Sequence, residues 1–168
     1  LFSYVEESTE KNEKDIQVIF RKILEALAYL HKKTIYHCDL SLQNIVLDDD
    51  LNPILIDFEY AQEKKHSYLH CNSGFYTSPE ATLGHKVDLE KNDMWSMGSI
   101  LFCLLFKTYP FELSCEKCRY FQNFKNKNLR QHVKEIFFDI DVCEQALILL
   151  ESLLNLNPNL RPSALETL

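Results

Sequence analysis

The chain has 168 residues, 46% of them hydrophobic and 26% charged, which fits one compact domain or one lobe of a larger one. A net charge of −7 argues against a broad basic surface for nucleic acid. The longest charge-free apolar stretch, Met94 to Phe106, falls short of the roughly 20 residues of a membrane span and predicts a buried helix.

In chain order, "EESTEKNEKD" (6–15) is polar and without period, a loop or a solvated helix start. From Ile16 the apolar residues Ile19, Phe20, Ile23, Leu27 and Leu30 recur at helical spacing, predicting an amphipathic helix that ends near Lys32 and Lys33. Two short apolar runs follow, Ile45 to Leu47 and Ile54 to Ile56. The turn residues of "DDDLNP" separate them and predict a hairpin. Residues 57–80 carry no period and predict a long ordered loop, a feature usually tied to function. A helix is expected to start at Asn92 or Asp93, either of which can cap it, and to run until Pro110. The polar segment 113–128 reads as a surface insertion.

Two helices are expected over about 129–138 and 142–155, the second capped by Asp141 with Ala146, Leu149, Leu150, Leu153 and Leu154 on its apolar face. Pro162 is placed at the first position of a last helix. Leu1 in place of an initiator Met, and an end inside "RPSALETL", suggest a fragment. The fold expected is mainly α with a small β-hairpin.

The six cysteines, at 38, 71, 103, 115, 118 and 143, have no framework spacing, and the N-terminus is not signal-like. That pattern points to reduced thiols in an intracellular, cytoplasmic protein. Cys115 and Cys118 form a lone C-x-x-C with only His132 as a downstream His. A full zinc site needs four ligands, so structural or incidental thiols are the first reading, with metal or redox as the alternative.

Asp39, Asn44 and Asp57 are the chemically suggestive set. Asn44 enters the first strand of the expected hairpin and Asp57 leaves the second, while Asp39 sits on the preceding loop. One amide and one carboxylate oxygen suit Mg²⁺, which takes the rest of its shell from water and phosphate. A carboxylate left off the metal can accept a proton from an attacking hydroxyl. Caps at turns are the bland alternative.

"HCDLSLQN", "DFE", "SPE", "DMWSMG" and "NPNLRPSA" stand in the order and approximate spacing of the C-terminal lobe of eukaryotic protein kinases, and the chain resembles that lobe throughout. The resemblance implies the kinase α+β fold, with residues 1–168 as a C-lobe-only, partial domain. It also implies an ATP- and Mg²⁺-dependent serine/threonine protein kinase with a protein substrate. Asp39 resembles the catalytic base, and Asn44 and Asp57 the ligands of Mg²⁺ on ATP. Val46 resembles the residue beneath the adenine ring. His37 and Phe58 resemble the stacked pair joining the catalytic and metal loops. Asp93 resembles the buried carboxylate that receives backbone N–H groups of the catalytic loop. Glu80 and Arg161 resemble the family's internal ion pair. Ser73 takes the place of the Thr whose hydroxyl contacts the catalytic Asp, and Tyr76 that of the usual aromatic in the substrate-docking segment 71–80.

Three positions depart from the pattern. Cys38 replaces the Arg that pairs with an activation-segment phosphate, so activation is expected not to run through phosphorylation of Ser67 or Tyr68 by that charge pair. Ser41 replaces the Lys that neutralises the transferring phosphoryl group, and losing one such donor typically costs about 2.7–4 kcal/mol. Glu59 replaces a Gly, adding charge near the metal and resisting a positive φ by about 1–2 kcal/mol. No Gly-rich loop and no strand Lys with a helix Glu partner occur, so the chain alone is expected to be catalytically incompetent. A pseudokinase acting as scaffold or allosteric partner is the main alternative. Small-molecule phosphotransferases with a similar loop form a third class, but lack the "SPE" and "DMWSMG" segments. No motif speaks to oligomeric state.

Overall fold

In the computed structural model every residue is described except 8–12, 70–73, 113, 116 and 138–141. A short helix α1, Phe2–Glu7, precedes α2, Glu13–Lys32. Helix α2 buries Ile16, Ile19, Phe20, Ile23, Leu24 and Leu27 on one stripe, with Glu13 and Asp15 in its first turn and His31 and Lys32 in its last. That charge order complements the helix dipole. The expected period is present, and the helix starts one turn earlier than the apolar stripe.

The hairpin forms from β1, Ile45–Leu47, and β2, Pro53–Leu55, antiparallel with Ile45 opposite Leu55 and Val46 opposite Ile54. The second strand lies one residue before the expected run. In the turn, the Asp48 carboxylate accepts from the backbone of Asp50 and Asn52 and from the Asn52 amide at 2.7–3.0 Å. These donors hold Asp48 below the ordinary carboxylate range.

The loop expected over 57–80 contains more order than its composition suggests. His66–Ser67 forms a strand β3 that pairs antiparallel with β4, Val87–Asp88, and Gly74–Tyr76 makes a 3₁₀ turn before α3, Pro79–Thr82. Helix α4, Leu89–Phe106, corrects two expectations. Its cap is Asp88, whose carboxylate accepts from the N–H groups of Glu90 and Lys91, while Asn92 and Asp93 lie buried inside the helix. Its end is Lys107, in the left-handed region at φ 55, before Pro110 is reached.

The segment expected to be a surface insertion contains α5, Arg119–Lys127. Phe121 and Phe124 are 4% and 7% exposed and pack on Phe111 at ring separations of 5.2 and 5.7 Å. Helices α6, Leu129–Ile136, and α7, Glu144–Leu153, follow. The cap of α7 is Cys143, and the expected cap Asp141 lies outside the described residues. Leu150, Leu153 and Leu154 pack α7 against α4 so closely that a Cβ on Gly98 would meet Leu154 Cδ2 at 2.8 Å. After a 3₁₀ turn at Pro158–Leu160, helix α8, Ala164–Thr167, begins at a Ser163–Glu166 capping box, so Pro162 precedes the cap instead of opening the helix.

Helix α4 is the axis of the fold. Sixteen of its residues are buried, and α2, α7 and the 3₁₀ turns surround it. One core unites α1, α2, α4, α7 and the hairpin's Ile45, and a smaller one of Tyr36, Ala81, Val87 and Leu89 lies under the β3–β4 ladder. The result is the mainly α fold with a small hairpin that the sequence predicts, plus a second two-stranded ladder. Among the described residues no helix is long and apolar enough to cross a membrane.

Candidate active site

The chain leaves α2 through Thr34, whose φ of 58 lets Ile35 N–H reach back to the Leu30 carbonyl at 3.0 Å. Tyr36 then exchanges two backbone hydrogen bonds of 2.9 Å with Gln62, tying this loop to the one that follows β2. The next two N–H groups turn toward α4. His37 N donates to Asp93 Oδ2 and Cys38 N to Asp93 Oδ1, both at 2.9 Å. Cys38 takes a φ of 67, so the loop bends sharply where Asp93 holds it. A left-handed non-glycine residue costs about 1–2 kcal/mol, which two charge-assisted hydrogen bonds offset.

His37 is fully buried and joins two loops. Its Nε2 donates to the Ile56 carbonyl at 3.0 Å, which leaves Nδ1 as the acceptor for Asp39 N–H at 3.4 Å. Its ring packs on Phe58 with centroids 4.8 Å apart. Leu40 and Leu42, 0% and 2% exposed, anchor the loop in the core, and the Asp39 side chain that precedes them is half-buried.

Asn44 closes the constellation. Its Nδ2 donates to the Asp39 carbonyl at 2.8 Å and to Asp39 Oδ2 at 3.0 Å, an arrangement that turns the amide oxygen away from Asp39. The Asn44 carbonyl accepts from Ile56 N–H at 3.0 Å, so Asp57 follows directly on the residue paired with Asn44. Asp57 is exposed and has a φ of 61. Glu59, expected to be strained at a positive φ, is not; the left-handed residue of "DFE" is Asp57, whose Oδ1 accepts from Glu59 N at 3.4 Å. Val46 is 44% exposed beside Ile54, 52% exposed, on the open face of the hairpin.

Ser41 is 4% exposed, and its Oγ accepts from Asn44 N–H at 3.2 Å. The hydroxyl is thus used inside the loop to orient Asn44. Ser73 lies outside the described residues.

Glu80 and Arg161 meet as a two-pronged pair at 2.5 and 2.8 Å. Arg161 is 1% exposed, and its remaining donors reach the carbonyls of Asn155 at 2.8 Å and Lys91 at 3.0 Å. Its guanidinium also lies 4.8 Å from the Trp95 ring. The structure therefore gathers Asp39, Asn44, Asp57, His37, Phe58 and Asp93 at one end, and holds Glu80 and Arg161 below it as a separate brace.

Sequence reasoning misses His31, reads Asn92 only as a cap, and names Tyr76 without its partners. His31 Nε2 lies 2.9 Å from Asp93 Oδ2 as a third donor, and its position, one turn beyond Leu27 on the buried stripe of α2, is the signal for it. Asn92 accepts from the Ser78 hydroxyl at 2.8 Å, fixing the start of α3. Tyr76, 4% exposed, accepts Leu42 N–H at 3.3 Å and bonds the Tyr109 hydroxyl at 3.3 Å; burial pushes its phenol well above the ordinary range.

Chemically, Asn44 and Asp57 offer hard oxygen donors on paired backbone, and Asp39 offers a proton acceptor held by Asn44. Among the described residues no three His, Cys, Asp or Glu side chains gather as a metal cage. A cation here would take most of its shell from water and phosphate, as Mg²⁺ does, and the donor set fits that ion.

A profile of the protein kinase domain matches residues 1–168. NUAK family SNF1-like kinase 1 of Mus musculus is 35% identical over 115 residues, which cover 67% of this chain and 18% of that protein. NUAK family SNF1-like kinase 2 of Rattus norvegicus is 36% identical over 115 residues, with the same 67% and 18% coverage. Maternal embryonic leucine zipper kinase of Xenopus laevis is 33% identical over 117 residues, again 67% of this chain and 18% of the relative. The chain thus matches under a fifth of the length of these curated relatives. With the profile spanning every residue, the chain belongs to the protein kinase domain family.

Proposed function

We propose that residues 1–168 are the C-terminal lobe of an ATP- and Mg²⁺-dependent serine/threonine protein kinase, which transfers a phosphoryl group to a protein hydroxyl. The observation that carries this is the Asn44 amide, whose Nδ2 bonds Asp39 at 2.8 and 3.0 Å while its oxygen faces away, so one residue orients both the proton acceptor and a metal ligand. Bound Mg²⁺ supplies charge neutralisation for the phosphates. Asn44 and Asp57 hold it, and Val46 supports the adenine from the open face of the hairpin. Asp39 accepts the hydroxyl proton of the substrate, with Ser73 as its hydroxyl contact. His37 and Phe58 keep the catalytic and metal loops in step, and Asp93 fixes the catalytic loop from below. The protein substrate lies along the segment that ends at Glu80. Scattered thiols favour an intracellular, cytoplasmic setting.

A pseudokinase is the second reading, favoured by the Ser41 hydroxyl, which faces Asn44 N–H where the family pattern has a phosphoryl-neutralising Lys. The deciding experiment measures transfer from Mg-ATP to a mixed peptide pool by the complete protein and its Asp39→Asn variant. Transfer to Ser or Thr that disappears in the variant supports the enzyme. Folded wild type no more active than the variant supports the pseudokinase.

A further inference from the structure

Between α4 and α5 lies a turn that takes no part in the site above. Cys118 N–H donates to the Cys115 carbonyl at 3.1 Å, closing it. Turns of this kind hold their first and last Cα atoms within about 7 Å, and disulfides bridge Cα separations of about 4.4–6.8 Å. Both side chains are reduced thiols, Cys115 half-buried and Cys118 9% exposed.

The turn is anchored on both sides. Ser114, 1% exposed, donates its hydroxyl to the Thr77 carbonyl at 2.7 Å. Thr77 lies between the 3₁₀ turn and α3, in the segment that leads to the Glu80–Arg161 brace. On the other side Cys118 caps α5, which Phe121 and Phe124 fix to Phe111. The turn thus brings the two Cα atoms into the range that a disulfide spans, one residue from the buried contact of Ser114 with Thr77.

We propose that Cys115 and Cys118 are a redox dithiol whose oxidation closes a disulfide across the turn and locks Ser114 onto Thr77. The oxidant is a small-molecule disulfide of the glutathione class. The Cys115 thiolate, the more accessible, attacks one glutathione sulfur and releases the first glutathione thiol. The Cys118 thiolate then attacks the Cys115 sulfur of that mixed disulfide and expels the second. Two protein thiols are oxidised and one glutathione disulfide is reduced to two thiols, which take up the two protons. Cys103 stays out of the exchange, because it is 2% exposed and burial pushes its thiol up to about 12. That Thr77 lies in a substrate-docking segment rests on the kinase reading; the dithiol chemistry does not.

The complete protein is equilibrated in glutathione buffers from fully reduced to fully oxidised, quenched, alkylated and mapped by peptide mass. Amide exchange across 74–80 is followed in parallel. The expected result is joint loss of both alkylatable thiols in the 115–118 peptide of the wild type, as an internal disulfide. Cys115→Ser and Cys118→Ser lose no pair. Exchange across 74–80 slows on oxidation of the wild type and stays unchanged in Cys118→Ser. Thiols that remain alkylatable throughout, that carry glutathione separately without joining, or that join without slowing exchange overturn the proposal. Neither readout uses phosphoryl transfer, so failure of the kinase reading is distinguishable.

Discussion

Replacing Asp93 with Asn tests whether the loop that carries Asp39 is held from below. Asp93 is 0% exposed, and three donors converge on its carboxylate at 2.9 Å: His37 N and His31 Nε2 on Oδ2, and Cys38 N on Oδ1. Asn keeps the shape but turns one oxygen into a donor. Its better orientation keeps the oxygen toward His37 and His31 and points the NH₂ at Cys38 N–H, so two donors face each other in a buried site. A hydrogen bond to a charged group contributes about 1.5–3 kcal/mol and a stranded buried donor costs about 1–3 kcal/mol. The two terms overlap, and the expected loss is about 2–4 kcal/mol. The loss should be local too, because Cys38 is held at φ 67 by the contact that disappears. Denaturant unfolding with a fitted slope gives the stability change, and native-state amide exchange at His37 and Cys38 gives its location. His31→Leu removes one of three donors while leaving both backbone bonds, so it should cost less than Asp93→Asn and leave those two amides protected. Asp93→Asn that shifts stability by under about 0.5 kcal/mol, within the range of ordinary surface changes, with unchanged exchange at Cys38, would refute the bracing role.

Two further outcomes follow from the ion pairs. Arg161→Met strands the Glu80 carboxylate in a largely enclosed site and should cost about 3–5 kcal/mol, whereas adding Glu80→Gln should recover part of it; thermal unfolding of both variants checks this, and a double variant no more stable than the single contradicts it. Hydrogen bonds from Arg130 hold the exposed Glu144 carboxyl below its ordinary value of 4.5. A depressed carboxylate stabilises the fold above that ordinary value, and the stabilisation is lost as pH falls through the folded-state value. Arg130→Met should therefore lower stability in the neutral region, flatten the acid limb of the stability–pH curve below about 4.5, and converge with the wild type at low pH; identical acid limbs would count against the pair.

What was legible in the sequence was local. The stripe of α2 and the hairpin pair are carried by periodicity and turn residues within a few positions of each other, and both appear in the fold within one turn or one residue. The start of α4 was not legible. Asn92 and Asp93 have the chemistry of caps, and what makes Asp93 a brace is two N–H groups 55 and 56 residues away in the chain. The resemblance to kinases supplied that assignment where local pattern did not. Helix α5 was hidden for a related reason. Its segment is Lys- and Asn-rich, and two aromatics three residues apart bury it only because Phe111 and Trp95 wait on the other side. The same limit explains Glu59: pattern matching put a positive φ there, whereas the backbone places the left-handed residue at Asp57.

The departures at 38, 41 and 59 bear on charge more than on shape. Asp93 receives backbone N–H groups, which any side chain at 38 would supply, so loss of the Arg leaves the loop's anchor intact. Asn44 is positioned by Asp39 and by Ser41 Oγ, so the Ser that removes a cation also contributes an orienting bond at 3.2 Å. Glu59 sits in ordinary backbone and donates its N–H to Asp57 at 3.4 Å. Asp39, Asn44 and Asp57 are thus held by contacts that do not pass through the missing Arg or Lys. The enzyme and pseudokinase readings therefore share one geometry. They differ in the electrostatics around a transferred phosphoryl group, which here meets one cation fewer at 41 and one carboxylate more at 59.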